Sequence, residues 1–117
     1  MIRGGEKGQR IEFRIGSADA NPYLVAAANL GAGLIGIRDG IEPTAPIQGN
    51  AYEQEGQAES LASNLRDATR ELEQCVAARE ILGDAFVDHF VASRDWEVRE
   101  YERAVNDWQL RRYFEII

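Results

Sequence analysis

Between Asp19 and Arg38 this 117-residue chain carries no charged residue, and that gap constrains its fold more than any other feature. Asn21-Pro22 at its start is a helix signal: Asn suits the N-cap, and Pro suits the first helical position, where its missing N–H costs nothing. Ala26, Ala27, Ala28, Gly31, Ala32, Gly33 and Gly36 are small, while Leu24, Leu30, Leu34 and Ile37 supply bulk. Each interior glycine costs roughly 1 kcal/mol against alanine in a helix, so close approach to a neighbouring backbone is the expected compensation. An amphipathic surface helix would show a charged stripe. The expectation is therefore a buried, small-residue helix from Pro22 to about Asp39 that needs cover on most of its sides. Its apolar part, Tyr23 to Ile37, is too short to span a bilayer.

Just before this helix, residues 9–15 alternate strictly. On a strand, Arg10, Glu12 and Arg14 point one way and Ile11, Phe13 and Ile15 the other. A plus–minus–plus row of this kind can wall a polar site, with Glu12 facing a cation and the two arginines facing anionic oxygens. The residues alone leave open a solvated strand face with cross-strand ion pairs. A lone strand has no pairing partner in this chain, and buried backbone groups need partners. Together with the uncharged helix, it points to a chain that is part of something larger, covered by further polypeptide or by partner subunits.

The remainder reads as helix. Residues 1–8 form a glycine-containing loop, and 40–59 a long connection punctuated by Gly40, Pro43, Pro46, Gly49 and Gly56. Residues 60–82 are helical in pattern, with Ser60 as N-cap and a break near Asp67–Thr69. Gly83 stops that helix and Asp84 caps the next. From Ala85 to about Val105, Phe86, Val87, Phe90, Val91, Val98, Tyr101 and Val105 recur at helical spacing. An aromatic, apolar tail runs from Trp108 to Ile117. The fold class expected is α+β and mostly helical: one N-terminal strand, one buried helix and a C-terminal helical hairpin in a single small domain.

Composition removes several function classes. A net charge of −7 argues against nucleic-acid binding, which needs excess Lys and Arg. Cys75 is the only cysteine, so no intramolecular disulfide forms, as suits a reducing compartment. No signal peptide is evident, and a soluble, cytoplasmic protein without membrane partners is expected. His89, the sole histidine, has no second metal ligand at convincing spacing, and Cys75 has no histidine near it in sequence. Trp96, Trp108, Tyr113 and Phe114 are read as packing residues.

Three segments resemble the C-terminal part of the glutamine synthetase family. They are Arg10-Ile-Glu-Phe-Arg14 with Ala18-Asp-Ala-Asn-Pro-Tyr23; Ala32-Gly-Leu-Ile-Gly-Ile37 with Ile41-Glu-Pro43; and Phe86-Val-Asp-His-Phe-Val91 through Trp96-Glu-Val-Arg-Glu100 to Arg112-Tyr-Phe114. The resemblance makes residues 1–117 the C-terminal portion of a catalytic domain. It implies an ATP-dependent ligase that phosphorylates the side-chain carboxylate of glutamate and joins ammonia or an amine through a γ-glutamyl phosphate. It also implies Mg or Mn ions and a site between adjacent subunits of a ring, hence a homo-oligomer. On the family's pattern Glu12 is a metal ligand, Arg14 a catalytic contact to glutamate and the transferring phosphate, and Arg10 a cofactor-binding contact toward the nucleotide phosphates. The family's other metal ligands, most of its nucleotide pocket and its N-terminal domain have no counterpart in these residues. The isolated chain is accordingly expected to be inactive. The reading from another class is a non-catalytic helical interaction or assembly module.

Overall fold

The computed structural model describes residues 5, 7, 8, 10–50, 60–114 and 116. Its elements are α1 (Pro22–Arg38), α2 (Leu65–Gln74), α3 (Val76–Leu82), α4 (Asp84–Arg103) and α5 (Asp107–Tyr113). The chain is mostly helical, as the sequence indicates. Residues 1–4, 6 and 9 of the N-terminal stretch, 51–59 of the long connection, and 115 and 117 of the tail lie outside the described residues. Residues 40–50 contain neither helix nor strand and are exposed throughout.

Helix α1 starts where Asn21-Pro22 signals it and ends within a residue of the expected Asp39. The Asn21 side chain accepts from the backbone N–H of Tyr23 at 2.9 Å and of Leu24 at 3.3 Å. At the other end, Gly40 takes a φ of +63°, a conformation that favours glycine because it has no Cβ. Ile41 N–H then bonds Gly36 O at 2.9 Å and Gly40 N–H bonds Ile37 O at 3.4 Å, the paired bonds of a Schellman motif.

The glycines of α1 divide in role. A Cβ on Gly31 would lie 2.5–2.7 Å from three side-chain atoms of Ile81, so α1 and α3 meet at a distance that only glycine permits. Gly33 and Gly36 have nothing within 4 Å of a Cβ position, and no contact in the structure explains them. Arg38 closes the same joint, pairing with Asp39 beside it and with Glu80 on α3.

The core lies in the C-terminal half, where α4 packs against α2 and α3. Val87 is 0% and Val91 7% exposed, and Thr69 on α2 is 3% exposed with its hydroxyl donating to Leu65 O at 2.7 Å. Phe86 and Phe90 stack at 5.8 Å on α4, and Arg94 lies over the Phe90 ring at 5.2 Å. Arg66 on α2 pairs with Glu102 on α4. Arg79 on α3 donates to Glu73 O at 2.9 Å and to the carboxylates of Asp84 at 3.0 Å and Asp88 at 2.8 Å. One side chain thus ties three helices.

Five expectations need correction. Asp84 does not cap α4: it is the first helical residue, Gly83 stands at the N-cap, and no side chain caps that end. The helical hairpin's first arm begins at Leu65, with Asn64 rather than Ser60 as its cap; the Asn64 side chain accepts from Asp67 N–H at 2.9 Å. Its break falls at Cys75, not Asp67–Thr69: Cys75 takes φ −76° and ψ 102°, and its Sγ accepts from Ala78 N–H at 3.4 Å. No regular strand forms among the described residues of 9–15, where Arg10 has only an isolated bridge and Ile11, Phe13 and Ile15 are exposed. A ladder needs a neighbour to complete it, and none of the described residues supplies one. Finally, α1 contains no buried residue. Its own chain covers the side that meets α3 and leaves Tyr23, Leu30, Leu34 and Ile37 exposed.

The overall shape follows. The radius of gyration is 19.2 Å and the extents are 65 × 39 × 27 Å, against about 13 Å for a compact chain of this length. The accessible surface is 10,799 Å², where a compact monomer of this mass would expose about 6,400 Å².

Candidate functional site

The alternation at 10–14 survives in the geometry although the ladder does not. Glu12 and Arg14 lie two residues apart and their side chains meet, Arg14 Nε to Glu12 Oε1 at 3.1 Å. That contact requires both on one side of the chain, as the period-two pattern demands. Arg10 is exposed and, among the described residues, has no contact with either of them. The pair is open to solvent, with the Arg14 side chain 83% and the Glu12 side chain 45% exposed. An ion pair that exposed contributes little to stability, so stability does not account for the row.

The turn after the row is held by short polar contacts. Ser17 Oγ donates to Asp19 Oδ1, and Ala20 N–H bonds Ser17 O at 3.2 Å. The Ser17 hydroxyl, with a smaller contribution from the Asp19 backbone, holds the Asp19 carboxyl below the usual carboxylate range. Two residues later Asn21 caps α1. The row is therefore joined to α1 by a turn with its own hydrogen bonds, and α1 is seated on α3 through Gly31 and Arg38.

Depressions lie elsewhere, two of them between α2 and α4. One of about 670 Å³ is lined by Leu65, Glu97, Val98 and Tyr101 among others. Another of about 330 Å³ is lined by Arg66, Arg70 and Arg99 together with Glu73 and Asp95. Neither includes residue 10, 12 or 14. Sequence reasoning did not single out these arginines. The signal was present in the four-residue spacing of Arg66 to Arg70 and of Asp95 to Arg99, which sets each pair on one helix face.

The donor set limits what these residues can hold. A divalent cation such as Mg²⁺ takes near-octahedral oxygen coordination and is held by carboxylates, waters and substrate phosphates. Glu12 is one suitable ligand. Among the described residues no group of three or more His, Cys, Asp or Glu side chains could hold a metal ion. The described residues therefore fit one ligand of a metal site and not the site itself. The same holds for a nucleotide: Arg10 and Arg14 can meet phosphate oxygens, but the row is an open edge rather than a cleft. Among the described residues, no helix is long and apolar enough to cross a membrane.

The sequence profile of the family described as "Glutamine synthetase, catalytic domain" matches residues 1–113. The chain belongs to that family. It is 43% identical over 120 residues to type-1 glutamine synthetase 2 of Dictyostelium discoideum, covering 100% of this chain and 23% of that protein. It is 42% identical over 109 residues to a glutamate–isopropylamine ligase of Pseudomonas sp, covering 92% and 24%. With the glutamine synthetase of Thermotoga maritima it shares 37% identity over 115 residues, covering 92% and 26%. The chain spans about a quarter of the length of the curated relatives it matches.

Proposed function

We propose that this chain is the C-terminal portion of the catalytic domain of an ATP-dependent glutamate–ammonia or glutamate–amine ligase that works through a γ-glutamyl phosphate. In this reading Glu12 contributes one oxygen ligand to a Mg or Mn site. Arg14 contacts glutamate and the transferring phosphate, and Arg10 the phosphates of ATP. The remaining ligands and the rest of the nucleotide pocket belong to other polypeptide, from a longer chain or an adjacent subunit of a homo-oligomer. The observation that carries the reading is the solvent-open Glu12–Arg14 pair on one side of an Arg-x-Glu-x-Arg row, within a match to the catalytic-domain family over residues 1–113.

The residue types suit that chemistry. Phosphoryl transfer spreads negative charge over several oxygens, and fixed guanidinium groups stabilise it without reorganising at the moment of reaction. Arginine presents a planar fork that meets carboxylate and phosphate oxygens in pairs, which lysine does not. The Glu12–Arg14 contact holds the Arg14 guanidinium beside the carboxylate, so both groups address the same space. One carboxylate and two arginines do not make a multi-metal ligase site, and the isolated chain is inactive in this reading.

Two experiments test it. The purified chain, assayed with glutamate, ATP, Mg²⁺ and either ammonia or isopropylamine, gives no amide product; measurable turnover overturns the inactivity. A chimera in which residues 1–113 replace the matching segment of a whole family member turns over. In that chimera Arg14→Lys lowers kcat/KM by about 100-fold or more, and Glu12→Gln raises the metal concentration needed for half-maximal rate. Full activity in both variants would remove the row from the site.

A further inference from the structure

The groove of about 330 Å³ between α2 and α4 sets like charges opposite one another. The two helices run antiparallel. Arg66 at the start of α2 pairs with Glu102 near the end of α4. Arg79, beyond the end of α2, bonds back to Glu73 O and forward to Asp84 and Asp88 in the first turns of α4. The Arg66–Glu102 pair fixes the register. One turn along from it, Arg70 on α2 comes level with Arg99 on α4, and two turns along, Glu73 comes level with Asp95. All four line the groove, over a floor that includes buried Thr69 and half-buried Val98. The Thr69 hydroxyl is already bonded to Leu65 O, so the floor offers a ligand no free hydroxyl proton.

Helices held together by surface charge set opposite signs across their joint. Here one rung is positive on both sides and the next is negative on both sides, and like charges brought together repel. Partners within the chain do not relieve this. Arg70 lies 3.6 Å from Asp67, and among the described residues the side chains of Arg99, Glu73 and Asp95 form no ion pair or hydrogen bond. We infer that this groove binds a small ω-amino acid, a molecule with a carboxylate at one end of a short chain and an ammonium group at the other. The carboxylate lies between Arg70 and Arg99, whose planar forks suit it, and the ammonium group lies between Glu73 and Asp95. A simple anion would face the two carboxylates, and a simple cation the arginines; a ligand with both charges relieves both rungs. The rungs stand about 5 Å apart along the helices, which places the amine at the far end of the ligand rather than beside its carboxylate. Both walls of the groove belong to helices of this chain's own core, and the inference does not rest on the ligase reading.

The test is an NMR titration of the isotope-labelled 117-residue chain at low salt with γ-aminobutyrate, butyrate and butylamine, which share a carbon chain and differ in their charged ends. The expected result is a saturable shift of the amides around Arg70, Glu73, Asp95 and Arg99. The dissociation constant for γ-aminobutyrate is expected in the millimolar range, at least about threefold below that of either single-charge analogue, and rising with salt. Arg99→Gln should narrow the advantage over butylamine, and Glu73→Gln the advantage over butyrate, each by about twofold or more. Both side chains are exposed, so helicity measured by circular dichroism is retained. Arg103→Gln, on the same helix but outside the groove, should leave all three constants unchanged. Equal binding of γ-aminobutyrate and butyrate, shifts that do not saturate, or constants indifferent to both groove variants would each overturn the inference. Should a variant unfold, the comparison of the three ligands on the unaltered chain decides it.

Discussion

The two halves of the molecule solve the burial problem differently. From Leu65 to Arg103 the chain finds its own cover: α2 and α3 lie on α4, Val87 is wholly enclosed, and Arg66–Glu102 and the Arg79 cluster close the edges. From Arg10 to Asp39 it does not. There the apolar side chains of the row and of α1 face solvent, and the link to the rest runs through one helix face, at Gly31–Ile81 and Arg38–Glu80. The difference lies in composition. The second half alternates apolar and charged positions, so each helix has an inside and an outside within its own chain. The first half offers an uncharged helix with no polar face, which a chain of this size cannot surround.

Mutations that act on one half only can break this contrast. Val87→Ala removes two methyl groups from the most enclosed position, and should cost about 2–3 kcal/mol in urea unfolding followed by tryptophan fluorescence. If the halves differ as described, α1 amides keep their hydrogen-exchange behaviour in that variant. Gly31→Val acts on the other side. Its Cβ would overlap Ile81, so either Ile81 moves or α1 lifts from α3, at about 1–2 kcal/mol. Hydrogen exchange should quicken in α1 while α2 and α4 hold. Gly33→Ala sharpens the same point with opposite sign. Nothing lies within 4 Å of that Cβ position, so the alanine is expected to stabilise by about 0.5–1 kcal/mol through helix propensity alone. A destabilised Gly33→Ala would mean that a close neighbour sits there in solution.

How much of this was legible in the sequence depended on whether the cause was local. Asn21-Pro22 acts within a few residues, and α1 begins where it indicates; at the other end Gly40, read as part of the long connection, closes the helix locally. Val87 and Val91 belong to the helical periodicity from Phe86 to Val105 and are enclosed, whereas Tyr101 and Val105 of the same periodicity are exposed. Cys75 was not found as a break, because thiols are weak acceptors and do not signal an N-cap by composition. Asn64 was passed over for Ser60; both types cap helices, and only the position of Asp67 relative to the turn separates them. For α1, apolarity was legible but its cover was not, since the described residues cover only the side that meets α3. The row at 10–14 shows the same limit. Its period set Glu12 beside Arg14, while the ladder that would flatten it into a strand needs chain from elsewhere.

The smallest effect expected, and the one that separates the halves without mutation, is acid loosening of α1. Asp39, at the end of α1, has its carboxyl held below the ordinary range, first by the hydrogen bond from Arg38. Asp19, in the turn that precedes α1, is lowered by the Ser17 hydroxyl. A carboxyl whose folded value is depressed contributes stability that is present above its unfolded value, near 3.8, and is lost as pH falls through the folded value. Protonating Asp39 removes one of the two carboxylates that hold the Arg38 guanidinium at the α1–α3 joint, leaving Glu80 as its partner. Both depressed carboxyls sit in the half with the thinner attachment. As pH is lowered from 5 toward 3, α1 amides should therefore lose exchange protection before those of α2 and α4, where Val87 and Val91 remain enclosed by apolar contacts that do not titrate. In Asp39→Asn the α1 transition should flatten. Simultaneous loss of protection across α1, α2 and α4 would instead make the molecule one cooperative unit, and the contrast between its halves would be one of exposure without a difference in stability.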